Sequence, residues 1–428
     1  MSALDVEDPV SADEVEETAL DEPSRKRRPW RRTRLWRFIQ VTHRWTALLT
    51  GVVLLVIVIS GVAVVLDPEI DKALNPSLYR STATETPITA AEALAVVRRE
   101  RPDFKANDVI WNRGHWEVYG DDYLVQAHVD PGTGRFNGIG AHDGGVMGFL
   151  KNLHMCALAC EGMPGHLAFL EAKTPLLGNE ELTVGGLIVG GSGLVLIVLC
   201  LGGLVLWWPG IKSFARGLKV RRGKGRYATH YDLHNVVGFV SIPFLLMWAI
   251  TGAGFEFKQF EQAWYALLPG KVPTETEPLE SKPLAGRAID MGQAREIAQR
   301  KLPDYRFVSV SVPDAKEKTS AYSVWFVPRN GIDPTAHALW PGTTEVAVDR
   351  YSGAAKITYG SPDRPLTHQL WQDWQFYGHA GYFMGAWPRL LWVVIGLAPL
   401  LLAVTGVTTW LIRRRKRRGK RRRVAVAT

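Results

Sequence analysis

Apolar and polar residues are segregated along this chain. Residues 45–66, 187–208, 235–255 and 390–412 are apolar blocks without a single charged residue. At about 1.5 Å of rise per residue, each is long enough as a helix to cross a bilayer core of roughly 30 Å. The two long connections have a different texture. Residues 90–101 and 291–301 carry Ala, Leu, Val and Ile at helical spacing, and a proline closes each (Pro102, Pro303). Strand-like runs follow at 109–112, 115–119 and 124–130, and again at 306–312, 321–327 and 344–349. The form V-D-x-x-x-G recurs at 129–134 and 348–353 and reads as a turn between two strands.

The pattern predicts a membrane α-helical protein: a four-transmembrane-helix bundle carrying two α+β modules. Its segments are a tail (1–37), a first membrane helix (38–66), a first module (67–186) and a second membrane helix (187–208). A basic loop (209–233), a third membrane helix (234–255), a second module (256–389), a fourth membrane helix (390–412) and a basic tail (413–428) complete it. The halves also resemble one another, which predicts an internal two-fold repeat. Eighteen residues separate His43 from Gly61 and His234 from Gly252, and Gly203-Leu-Val-Leu-Trp207 matches Gly406-Val-Thr-Thr-Trp410. Repeats of this kind in membrane proteins place functional sites between the copies.

Charge fixes the expected orientation. The net charge of +9 is concentrated in residues 25–37, 212–226 and 413–423, each next to an apolar block. This is the positive-inside arrangement, and no base-reading motif accompanies it, so nucleic acid is set aside. Both termini and the middle loop are expected in the cytoplasm of a bacterial inner membrane, with the two modules in the periplasm. Residues 1–23 are acidic and poor in apolar side chains; they are expected to be disordered and do not read as a cleavable signal.

Chemistry must come from few residue types. Three cysteines cannot make a disulfide scaffold. Cys156 and Cys160 read as a short-range disulfide, a redox contact or two small loop residues, and Cys200 as packing. Of eleven histidines, His115, His128, His142 and His337 fall in strand or loop segments and read as surface or satisfied side chains. His43, His234, His154 and His379 stand at helix ends, one from each half on each side of the membrane. Ionisable groups at membrane depth are costly and tend to be functional. Two imidazoles from facing helices can hold a haem iron, and glycines at 51, 61, 238 and 252 would let a flat macrocycle or a neighbouring helix approach. The pattern alone weighs haem evenly against plain structural use. His230-Tyr-Asp-Leu-His234 has the spacing of a zinc protease, but Tyr231 stands where the glutamate belongs. No C-x-x-C-H occurs, so a haem here is held non-covalently. The sequence also lacks a dinucleotide fingerprint and a P-loop.

Several motifs taken together carry a family resemblance. They are H-R-W at 43–45, G-L-V-L-W-W-P-G at 203–210, Y-D-L-H-N-V-V-G at 231–238 with T-G at 251–252, and H-A-G-Y-F-M-G at 379–385 leading to T-G-V-T-T-W-L-I-R-R. The chain resembles the PepSY-associated transmembrane helix family of iron-regulated inner-membrane proteins, which includes ferric-siderophore reductases. That resemblance implies two periplasmic PepSY-like modules on a four-helix bundle. For the reductase members it implies haem b, here two, with His43 and His234 holding one and His154 and His379 the other. The step from His154 to the second membrane helix is longer than the matching step after His379 and contains His166. This makes His166 the alternative to His154, as His230 and His368 are to His234 and His379. Implied partners are a ferric siderophore or other periplasmic acceptor, a cytoplasmic or quinol electron donor, and the lipid bilayer. Trp371, Trp374, Phe376, Tyr377, Tyr382 and Phe383 would dock an acceptor or form an interfacial belt. Two rival expectations are a non-catalytic PepSY anchor for a peptide or protease, and an iron-chelate permease.

Overall fold

The computed structural model describes residues 33–120, 125–141, 143–176, 179–269, 277–284, 288–314, 316–329, 342–382 and 386–427. The acidic tail, His142, His337 and Phe383 lie outside these residues.

Among the described residues, four helices are long and apolar enough to span a membrane: Arg34–Val64, Val184–Trp207, Gly225–Glu256 and Arg389–Gly419. Leu49 and Val52 on the first are about three-quarters exposed, at 76% and 74%. In water such a face is a liability; in lipid it is the ordinary exterior of a spanning helix. The first and third helices begin well before their apolar runs, so His43 and His234 sit within helices rather than at their mouths.

The chain divides into two compact units. The first comprises residues 1–55, 194–246 and 397–428, and the second 56–193 and 247–396.

The described residues of the first unit are mostly helical. Between its second and third membrane helices, Asp232 takes the Arg221 guanidinium at 2.8 and 3.0 Å and the Arg221 amide at 3.0 Å. This pairing fixes the start of the His234-bearing helix next to the basic loop.

The second unit contains one antiparallel sheet of eight strands in the order β4-β3-β2-β1-β5-β6-β7-β8. The strands are β1 (Asp108–Asn112), β2 (His115–Tyr119), β3 (Val125–Val129), β4 (Phe136–Ala141), β5 (Tyr305–Ser311), β6 (Tyr322–Pro328), β7 (Thr344–Val348) and β8 (Ala355–Tyr359). The two expected strand groups therefore meet edge to edge through β1 and β5, with Val109 opposite Val310. A single row crosses the whole sheet: Ile139, Ala127, Val118, Val109, Val310, Val324, Val346 and Ile357. Its six inner members are wholly buried. Helices Ala90–Glu100 and Met291–Lys301 cover that face and share one core with it.

Local signals set these helices and turns. Thr89 with Glu92 and Asp290 with Gln293 each form a reciprocal capping box. The V-D-x-x-x-G turns are held by their aspartates. Asp130 accepts the amides of Gly132 and Thr82, and Asp349 those of Tyr351 and Lys282. Each carboxylate thus clips its turn to the segment that leads into its own half's helix.

Candidate functional site: two glycine-seated histidine pairs

Each of the four candidate histidines lies against a glycine of a membrane helix. In the first unit, a Cβ added at Gly203 would come within 3.3 Å of His43, and one at Gly406 within 3.3 Å of His234. His234 Nδ1 lies 3.0 Å from the Leu402 carbonyl and 3.1 Å from Thr405 Oγ1. The Thr405 hydroxyl gives its hydrogen to the Leu401 carbonyl at 2.7 Å, so toward His234 it can only accept. Both neighbours of this nitrogen are acceptors. The ring hydrogen therefore sits on Nδ1 and the lone pair on Nε2.

The second unit repeats this logic with different residues. His154 closes helix Gly145–Cys156 and places Nδ1 2.8 Å from the Ile57 carbonyl. A Cβ at Gly61 would collide with its ring, reaching Nδ1 at 2.8 Å and Nε2 at 3.0 Å. His379, on helix Trp374–Ala380, places Nδ1 2.7 Å from Thr251 Oγ1, whose own hydrogen goes to the Met247 carbonyl at 2.7 Å. Gly252 faces the same ring, at 3.5 Å from an added Cβ. Again both Nδ1 hydrogens are committed and both Nε2 lone pairs are left over. The His154 and His379 ring centres are 6.0 Å apart and the planes are tilted by 41°. Two imidazoles that ligate one metal from opposite sides, with bonds of about 2 Å, place their ring centres roughly 6 Å apart. The residues present fit a bis-histidine iron.

Electrostatics leave this pair ready to ligate. Burial, and then the neighbouring His154 imidazole, push His379 down to about 3, and burial also lowers His154. Both rings are therefore neutral near pH 7, the form that binds a metal. Their supports are firm. The Trp248 indole donates to the His379 carbonyl at 3.0 Å. Two residues before His154, the fully buried Asn152 ties the Cys160 amide and the Cys160 and Pro164 carbonyls together. Cys156 and Cys160 are joined as a disulfide across that loop. Lys151 is buried between Asp67 at 2.9 Å and Asp143 at 3.0 Å. Burial disfavours its charge, but the two carboxylates outweigh burial and raise its pKa.

The alternatives fall elsewhere. His166 pairs with Glu171 at 2.5 Å, and His368 packs against Tyr265 at 4.9 Å between ring centres. His230 stays one turn before His234 on the same helix. Of the aromatics, Trp371 is buried, while Trp374 and Phe376 are exposed.

Of the surface and satisfied readings of His115 and His128, the surface one fails: both are buried, and Glu117 lies with them. The signal was present in the strand pattern. His115 and Glu117 are two apart on β2, and His128 stands opposite Glu117 on β3.

Comparison with curated proteins finds no match. The family model for the PepSY-associated TM region matches residues 40–413, nearly the whole chain. The chain belongs to the PepSY-associated TM region family.

Proposed function

We propose that this membrane protein binds haem b at its two histidine pairs and passes electrons, taken from a cytoplasmic or quinol donor, to an acceptor on the far side of the bilayer, a ferric siderophore. The carrying observation is the outer pair: His154 and His379 face one another at 6.0 Å with their Nδ1 hydrogens engaged elsewhere. Second partners of this kind orient a metal-binding imidazole and raise its basicity. A haem bound there supplies one-electron chemistry. The chain's own residues do the rest. Gly61 and Gly252 leave room beside the rings, and Thr251 and the Ile57 carbonyl hold them.

The reading places the modules in the periplasm and both termini in the cytoplasm of the inner membrane. The runs of basic residues, 25–37, 212–226 and 413–423, all adjoin the apolar spans on one side. The Cys156–Cys160 disulfide suits an oxidising compartment on the other. It also treats the chain as two copies of one plan, each giving one histidine to each pair. Reducing a ferric chelate would release the iron, because the less charged ferrous ion binds hard oxygen donors less tightly. Trp374 and Phe376 are exposed enough to meet such a ligand.

A reduced-minus-oxidised absorption spectrum of the purified protein tests this. Haem bands are expected, with His379→Ala or His154→Ala removing one component and His234→Ala or His43→Ala the other. Protein that stays colourless after expression with ample haem would overturn the proposal and favour a non-catalytic anchor. Haem bands that a ferric siderophore fails to reoxidise would leave electron transfer standing and exclude that acceptor.

A further inference from the structure

On the face of the sheet opposite the helices, three side chains converge. His115 Nε2 lies 3.2 Å from His128 Nδ1 and 3.1 Å from Glu117 Oε1. All three donor atoms lie within 4.8 Å of one another. Hydrogen bonding alone serves this point poorly. His115 Nε2 carries at most one hydrogen, and it faces both a carboxylate oxygen and a second ring nitrogen. A single cation satisfies all three atoms at once. Bonds of about 2.0–2.1 Å in tetrahedral geometry put neighbouring ligand atoms roughly 3.3 Å apart, close to the two separations seen.

The surroundings are those of a metal centre. Asn112 Nδ2 donates to both Glu117 oxygens at 3.1 Å, and Tyr119 Oη donates to Oε2 at 3.1 Å, which orients the carboxylate. The Tyr79 ring meets both imidazoles edge-on, at 5.1 and 5.0 Å, and closes the site. Tyr79 is itself tethered by its hydroxyl to Asp71. Gly140 matters here too, because a Cβ at that position would lie 3.3 Å from His128 Nε2.

We propose that His115, Glu117 and His128 bind one divalent first-row transition-metal ion, separate from the four helix-end histidines. Two imidazoles and a carboxylate are the donor set of zinc and ferrous sites. The burial of all three side chains makes it a closed centre, loaded as this part of the sheet folds.

The test uses the full-length, tag-free protein in detergent, stripped with a chelator and titrated with Co²⁺, then with Zn²⁺ in competition. Wild type is expected to bind one Co²⁺ with the intense visible bands of low coordination number, and Zn²⁺ to displace it. Glu117→Gln, nearly isosteric, should weaken binding by roughly 100-fold or more, and Asn112→Ala, which keeps every ligand, by about 10–100-fold. His379→Ala should leave the titration unchanged, which separates this site from the haem reading. Wild type that develops no such bands overturns the proposal, whatever the variants do. Undiminished binding by Glu117→Gln also overturns it.

Discussion

Strands β2 and β3 turn His115, Glu117 and His128 away from the helices, whereas β6 and β7 turn Ser323, Trp325 and Glu345 the same way. In the second group Glu345 accepts from Ser323 at 2.5 Å and from Thr358 at 2.8 Å, a network that hydrogen bonds complete. The opposite face hardly differs between the groups: Val118 and Val324 lie in the same row, and capped helices cover both. A buried apolar face tolerates few side chains because volume and hydrophobicity are both fixed. The other face also admits polar groups, which a hydroxyl–carboxylate network or a cation can satisfy. One scaffold therefore carries chemistry in one half and plain hydrogen bonding in the other.

Val118→Asp and Val324→Asp should each cost about 5 kcal/mol, since an unpaired carboxylate would be buried in the shared core. Thermal unfolding followed by circular dichroism should rank them together, and a large gap between them would end the claim of a common core. Metal removal should act on one half only. Chelation after saturation at about 1,000 times the dissociation constant should cost roughly 4 kcal/mol. The lost hydrogen-exchange protection should map to β2 and β3 and spare β6 and β7. Asp130→Ala and Asp349→Ala should each cost about 2 kcal/mol, through lost amide bonds to a charged acceptor. Chemical denaturation reads that equality. The smallest effects belong to the capping boxes: Thr89→Ala and Asp290→Ala should each lose about 1 kcal/mol.

The sequence made some of this legible and not the rest. Uncharged apolar runs mark the four membrane helices because no soluble element needs such a stretch. The Asp130 and Asp349 turns were readable because their partners are a few residues away. The β1–β5 junction was not, since nothing local to Val109 specifies Val310. The helix-end histidines could be picked out by position and by their distance to a glycine. Which glycine receives which ring was hidden: His154 rests on Gly61 and His43 on Gly203, each far away in sequence. The burial of His115 and His128 is not written locally in the sequence, for a related reason. The segment that covers them, including Leu78 and Tyr79, is irregular and carries no periodicity to mark it as a lid.

The seam between β1 and β5 also sets a timetable for biosynthesis. Strands β1–β4 leave the ribosome long before β5, because the chain from Ala141 to Tyr305, including two membrane helices, must be made in between. At roughly 5–20 residues per second, β1 waits about 10–30 s as a bare strand edge. An open edge of that kind recruits other strands. Slow translation between the halves should therefore lower the yield more than slow translation after β5.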